Sequence, residues 1–309
     1  PMQIIQDWQG LAPLARGASV ALGNFDGVHL GHRSVIDLAR RQDAPLGIVT
    51  FEPHPRQYFS PDAPAFRLMN SEARANRMEK LGVDILYELP FTAALAGMSA
   101  EAFATEVLAQ GLGVSHVTVG ADFCFGKGRS GTAETLRTLG DRLGFGVSIA
   151  PLLAIGTTEV SSTAIRRALT DGRPRDAARM LGHLHRIEGA VLHGEKRGRE
   201  LGFPTANMAV EGLHLPRLGV YAVKVDILTG PDAGSYGGAA SLGVRPMFGQ
   251  NGPNLETHIF DFSGNLYGQH LSIALIDYLR PEMKFDGLPA LIAQMDQDCA
   301  RAREILAEA

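Results

Sequence analysis

The stretch ASVALGNFDGVHLGHRSVIDLAR (18–40) decides how the chain begins to fold. ASVALG (18–23) is short and apolar, as a buried strand is; a glycine-rich turn follows, and a helix is predicted over about 31–41. Within the turn, GNFDGVHLGH (23–32) flanks Asp26 with glycines and sets His29 and His32 three residues apart. On a first helical turn that spacing lets both imidazoles face one ligand. Backbone N–H groups at a helix start suit phosphate, and imidazole donates to oxygens that gain charge. The same spacing fits a metal pair or two surface histidines. A metal needs further ligands that the neighbouring sequence does not clearly supply, and the strand–loop–helix setting favours phosphate chemistry.

Outward from this unit the first 180 residues keep alternating. LGIVTF (46–51), VDILYEL (83–89), SHVTVG (115–120) and GVSIAP (146–151) read as strands. Helices are predicted over 71–82, with a Ser71 cap and Arg74 where a capping box would have Glu, over 99–111, with a Ser99 cap and a Gly111 stop, and near 133–143. Strands separated by helices predict a mostly parallel sheet with ligands at the carboxyl ends of its strands. After about residue 183 the pattern changes. RIEGAVLH, GVYAVKVDIL, YGGAASLGV, LETHIFDF and LSIALIDYL read as strands between Gly, Pro and Asn turns. A helix over 287–308 places Leu291, Met295, Cys299 and Ile305 near one face. The fold class expected is α/β plus β: a parallel sheet with helices, then an antiparallel β-barrel with a C-terminal helix. The seam is placed in GRPRDAARMLGHLH (172–185), giving domains 1–182 and 183–309.

At 309 residues with 45% apolar and 20% charged side chains, the chain has material for two cores, which excludes disorder and a disulfide-stapled miniprotein. Up to Gly182 it carries 18 basic and 18 acidic residues, and 11 against 15 thereafter, for the net charge of −4. Neither half is basic, which argues against nucleic-acid binding through phosphate contacts. No apolar run reaches the ~20 residues of a membrane span. PMQIIQDWQG (1–10) lacks the pattern of a signal peptide. Only Cys124 and Cys299 occur, without metal-type spacing. A cytoplasmic chain without membrane or nucleic-acid partners is expected; its oligomeric state is left open.

Three further segments carry chemistry. In VSSTAIRRAL (160–169), Ser161, Ser162 and Thr163 are cap residues, and Arg166 lies one turn inside, within reach of an anion; taken alone, the segment reads first as a capped surface helix, and the second phosphate-type helix start in the same α/β half strengthens the anion reading. HGEKRGRELGFPTANM (193–208) is rich in Gly and basic residues, yet lacks the GxxxxGK[ST] loop. Thr205 and Asn207, two apart in an extended segment, offer oxygens on one side, as suits Mg²⁺ on nucleotide phosphates. In LETHIFDF (255–262), Glu256, His258 and Phe260 share a strand face, and a carboxylate there could accept a hydroxyl proton. Turn residues and a wet-side glutamate are the plainer readings.

Together the segments resemble a known family. GNFDGVHLGH carries the HxGH signature of nucleotidyltransferases. With VSSTAIRRAL, TFEPHPRQYF (50–59) and GADFCFGKGRSG (120–131), it resembles the FMN adenylyltransferase module of bacterial bifunctional riboflavin kinase/FAD synthetases. The complete Pro204-Thr205-Ala206-Asn207 motif, with GVYAV, SLGVRPMFG, ETHIFDF and YLRPEMKF, resembles the riboflavin kinase domain of the same family. The resemblance implies that His29 and His32 bind ATP phosphates and stabilise the transition state. Gly23, Phe25 and Asp26 would shape the nucleotide pocket, and Ser162, Thr163 and Arg166 would hold its phosphates. Pro53, His54, Pro55 and Phe59 would border the flavin, with Asp122 nearby. In the second half, Gly198, Arg199 and Gly202 belong to a phosphate loop, Thr205 and Asn207 are Mg²⁺/ATP ligands, and Glu256 is the general base. The implied substrates and products are riboflavin, FMN, FAD and ATP, with Mg²⁺. Met247 replaces the Thr of the usual RPTF, and GHLH (182–185) departs from the usual junction. Two rivals are a nucleotidyltransferase with another phosphate acceptor and a catalytically inactive flavin sensor.

Overall fold

The structure is a computed structural model that describes residues 1–156, 158–193, 202–247 and 250–309. By contacts the chain separates into two compact units, residues 1–64 with 74–161 and residues 65–73 with 162–309.

The first unit is built on six parallel strands: β1 (Gln3–Ile5), β2 (Ser19–Leu22), β3 (Leu46–Glu52), β4 (Ile85–Pro90), β5 (His116–Gly120) and β6 (Gly146–Ala150). Their spatial order is β1-β4-β3-β2-β5-β6. The central strands are apolar on both faces, as strands covered by helices must be, with Val20, Ala21, Ile48, Val49, Leu86, Val117 and Val119 inaccessible. The chain runs outward one way from β2 through β3 to β4, then returns to β5 and continues to β6. The direction therefore switches between β2 and β5, and the crevice at their carboxyl ends is where such sheets take ligands. The predicted strands all appear. Helix α1 (Leu30–Ala39) follows β2 directly and buries Val35, Ile36 and Ala39; Ser19 Oγ donates to the Ala39 carbonyl at 2.6 Å and fastens its end. Helix α2 (Pro55–Phe59) follows β3.

Two local predictions change. Helix α3 (Ser71–Lys80) is capped by Asn70, whose Oδ1 accepts from Ala73 N–H at 2.9 Å, so Ser71 is the first helical residue and not the cap. The predicted 99–111 helix starts on its Ser99 cap as α4 (Ala100–Ala102), then widens into a π-helix (Phe103–Leu112) that stops at Gly113, φ 60°. Gly111 is no terminator: a Cβ there would lie 2.5 Å from the Trp8 carbonyl, so its bareness lets two backbones approach. The 133–143 helix appears as predicted, α5 (Ala133–Leu143), on a Thr132 cap.

The second unit holds six antiparallel strands: β7 (Arg186–Ala190), β8 (Ala206–Ala209), β9 (Gly219–Ile227), β10 (Gly234–Met247), β11 (Gln250–Ile259) and β12 (His270–Arg280), ordered β7-β12-β9-β10-β11-β8. A bridge between Leu192 and Asn207 brings the two edges together and nearly closes the barrel. Alternation sorts the side chains. Tyr221, Val223, Val225 and Ile227 of β9 enter the barrel core, while Ala222 between them faces outward to Ala302 and Ile305 of the C-terminal helix α8 (Leu288–Glu308). Two helices, α6 (Ser162–Thr170) and α7 (Pro174–Leu181), pack with Leu68 in a small core of their own. Arg175 of α7 grips Asp277 of β12 through two 2.7 Å contacts. The sequence did not mark β8 as a strand, because it is four residues long and pairs along its length with β11 alone, apart from the single bridge at Asn207.

Candidate active sites

The loop after β2 enters the switch-point crevice with unusual backbone. Phe25 (φ 52°) and Val28 (φ 47°) are left-handed although neither is glycine, and Gly27 (φ 89°) lies between them. Strain of this kind persists where surrounding structure fixes it, and Phe25, Asp26 and His29 are buried. His29 is the N-cap of α1, and the two histidines cap each other. His32 backbone N–H donates to His29 Nδ1, and His29 backbone N–H donates to His32 Nδ1, both at 3.2 Å. The rings stack at 3.5 Å between centroids and 13° between planes. Because each Nδ1 accepts, each neutral ring carries its proton on Nε2. The pair thus presents two parallel N–H donors. Desolvation, reinforced by His29 and then His54, holds the His32 pKa well below the usual imidazole value, so the ring is neutral at pH 7. Gly31 makes the stack possible: a Cβ there would lie 2.9 Å from His29 Cε1. Gly23 serves similarly, since its Cβ would meet the Phe25 ring at 3.3 Å.

The loop after β3 lies close enough for His54 to act on His32 electrostatically. His54 caps α2, its Nδ1 accepting from Arg56 N–H at 3.0 Å, with Pro53 before it and Pro55 opening the helix. Phe59 is 64% exposed and packs edge-on against Tyr58 and Phe91, a bare aromatic platform. Asp122, in the loop after β5, is exposed. Ser162, Thr163 and Arg166 fall in the second compact unit, where Ser162 opens α6. There Arg166 Nε donates to the Phe66 carbonyl at 2.7 Å, with its guanidinium over the Phe66 ring.

The barrel builds a second site around β8 and β11. Register sets Asn207 opposite Glu256. Two cavities meet here. One, of about 160 Å³, is lined by Thr205, Asn207, Thr257, His193 and Tyr267. The other, of about 710 Å³, is lined by Glu256, His258, Thr205, Leu291, Met295 and Cys299. Thr205 stands in the wall of both, Asn207 only in the smaller and Glu256 only in the larger. Burial, then Asp298, pushes the Cys299 thiol up to about 11, so it stays protonated. The predicted helix face divides: Leu291, Met295 and Cys299 line the cavity, while Ile305 joins the core beneath α8. Likewise His258 faces the larger cavity with Glu256, whereas Phe260 belongs to that core.

Comparison with known proteins matches the two halves of the chain to two families. A family model described as FAD synthetase matches residues 12–164, and one described as riboflavin kinase matches residues 181–306. A bifunctional riboflavin kinase/FMN adenylyltransferase of Pseudomonas fluorescens is 39% identical over 99% of this chain and 98% of its own. The chain belongs to the bifunctional riboflavin kinase/FMN adenylyltransferase family. The Escherichia coli K12 protein of that name is 35% identical over 93% of this chain and 92% of its own. A crystal structure from Streptococcus pneumoniae, described as a macrolide-efflux protein, superposes with a TM-score of 0.80 at 30% identity, covering 96% of this chain and 97% of that one. Among the described residues, no helix is long and apolar enough to cross a membrane.

For this member of the family, Gly198 and Arg199 lie outside the described residues, as does the side chain of Met247. Gly202 is described, in a turn at φ 85°. Sequence reading missed two polar anchors. Arg74 is wholly buried and donates to both the Asn24 carbonyl and the strand leading to His54. Asn254, 1% exposed, lies beside Asn207 and Glu256. Its signal was its place two residues before Glu256 on one strand.

Proposed function

We propose that this chain makes FAD in two ATP-dependent steps, with residues 183–309 phosphorylating riboflavin to FMN and residues 1–182 adenylylating FMN with release of pyrophosphate. The observation that carries the kinase reading is the position of Thr205 between two cavities, with a carboxylate in one and an amide oxygen in the other. The 710 Å³ cavity is within the range for a drug-sized ligand and takes the flavin; the smaller one takes the nucleotide phosphates. Glu256 accepts the proton of the ribityl 5′-hydroxyl, and the freed oxygen attacks the γ-phosphorus of ATP, with ADP leaving.

Mg²⁺ fits the same place. Thr205 and Asn207 offer neutral oxygen donors, which suit a hard cation that keeps several waters, and Asn254 Oδ1, on the Asn207 face of the β8–β11 pair, is buried without a partner among the described residues. When bound, the ion neutralises charge on the transferring phosphates. Thr205 and Asn207 hold it, and Gly198, Arg199 and Gly202 belong to the adjoining phosphate loop.

In the other domain the nucleophile is an FMN phosphate oxygen, already anionic, so no base is required. It attacks the α-phosphorus of ATP. The Nε2–H groups of His29 and His32 donate to oxygens that gain charge, and the Gly23–Asp26 turn shapes the nucleotide pocket. Pro53, His54, Pro55, Phe59 and Asp122 border the flavin. The partners are small molecules, and the protein works in the cytoplasm.

Chromatography of flavins after incubation with ATP and Mg²⁺ tests the division. Glu256→Ala should abolish FMN formation and spare FAD formation from supplied FMN. Loss of both activities in a well-folded variant would refute the split.

A further inference from the structure

Asn254 is a buried amide that the two-step mechanism does not use. It lies on the same face of β11 as Glu256, two residues earlier, diagonal to Asn207 across the β8–β11 pair. Its Nδ2 stands 3.2 Å from Asn207 Oδ1 and 3.5 Å from Glu256 Oε1, while its own Oδ1 is buried with no partner among the described residues. The orientation follows from charge. Turning the amide over would set its oxygen against two acceptor oxygens and leave both N–H groups facing nothing. The polar group therefore accepts one orphan oxygen to keep two donors on Asn207 and Glu256.

We propose that Asn254 is a positioning residue of the kinase site, a single amide that fixes the side-chain oxygen of Asn207 for the metal and anchors the Glu256 carboxylate beside it. The proposal rests on the assignment of Asn207 as a metal ligand and Glu256 as the base. The two ends of an Asn side chain are nearly isosteric, yet only the oxygen binds a cation. A donor from Asn254 can be matched only by that oxygen, and it occupies one of two lone pairs, leaving the other for the ion. Loss of a partner of this kind typically costs about 10–100-fold in metal affinity or activity.

The test uses the full chain with Asn254→Leu, Asn254→Asp and Asn254→Thr. Riboflavin fluorescence is titrated with ADP, with and without Mg²⁺, and riboflavin phosphorylation is measured separately. The Leu and Asp variants, which lack the donor, should lose about tenfold or more of the Mg²⁺-dependent gain in ADP affinity. Their kcat should fall, with the KM for riboflavin changed less than about twofold. Asn254→Thr, which restores a donor, should recover most of both, and FAD formation from supplied FMN should stay at the parental rate throughout. Parental Mg²⁺ dependence and kcat in Asn254→Leu would overturn the proposal. So would equal losses in the Leu and Thr variants, which would mark Asn254 as a packing residue only. Asn207→Leu and Glu256→Gln test the assignment beneath it. If they keep parental metal dependence and rate while Asn254→Leu does not, that assignment fails and takes the proposal with it.

Discussion

Arg74→Met should loosen the adenylylation domain without touching the kinase. The Arg74 guanidinium is fully buried. One end donates to Glu52 Oε2 at 2.8 Å and Glu88 Oε2 at 3.2 Å; the other donates to the Phe51 carbonyl at 3.2 Å, Thr50 Oγ1 at 3.3 Å and the Asn24 carbonyl at 3.4 Å. It thus ties the loop before His29 to the strand before His54. Removing one partner of a buried pair strands the other's charge, at a cost of roughly 3–5 kcal/mol. Here the cost falls mainly on Glu88, 6% exposed, to which Gln6 also donates at 3.2 Å, whereas Glu52 is partly open to water. Against a domain stability of ~5–15 kcal/mol that is a large fraction. Trp8 is the sole tryptophan and packs against the core of this unit, so its fluorescence in urea reports this domain alone. The expected result is a Trp8 transition lowered by about 3–5 kcal/mol, a raised KM for FMN in FAD formation, and an unchanged rate of riboflavin phosphorylation. Arg74→Met with Glu88→Gln should recover much of the loss, because the stranded charge is gone. A Trp8 transition within about 0.5 kcal/mol of the parent, or a double variant no better than the single, would refute the reasoning.

Gly31→Ala should push the His29 ring off His32 and lower FAD formation at least about tenfold while sparing FMN formation, read by the same flavin chromatography. His29→Ala should make FMN accumulate; normal FAD synthesis would remove the imidazole pair from the mechanism. His185 is buried beside His183 and His214, and desolvation lowers its pKa to about 3 against 6.5 when unfolded, so its contribution to stability is complete above pH 6.5 and is lost as pH falls towards 3. That amounts to roughly 2 kcal/mol at pH 5, and His185→Gln should shrink by that much the loss of stability of the kinase domain between pH 7.5 and 5 in urea melts.

What the sequence reveals follows from how local each feature is. The five main strands of the parallel sheet are legible because strands buried on both faces read as apolar runs. The His29–His32 pair is legible because three residues on a helix start define a geometry by themselves. Arg74 is not. At the fourth position of a helix with a polar opening it looks solvent-facing, and its carboxylate partners come from β3 and β4, 22 and 14 residues away. Asn254 needs the β8–β11 register before it meets Asn207, and β8 is too short to announce itself. The shift of the helix stop from Gly111 to Gly113 has the same origin: the close approach of Trp8 demands a glycine at a point where local rules read a terminus.

The two centres divide their chemistry by what each can accept. In the adenylylation loop both Nδ1 atoms are committed to the helix cap, so neither ring can take a proton there without setting N–H against N–H and breaking the bond that starts α1. Burial presses His32 the same way. That pair therefore stabilises charge by donation and does not serve as a base, which suits a phosphate nucleophile. The barrel reverses this on the proposed assignment: Glu256 stands in the wall of the larger cavity as the carboxylate that would accept the proton of a flavin hydroxyl. On the proposed assignment, an alcohol is converted to a phosphate in the barrel before the imidazole site uses it, and the order of the two reactions follows from the place of Glu256 in the wall of the larger cavity.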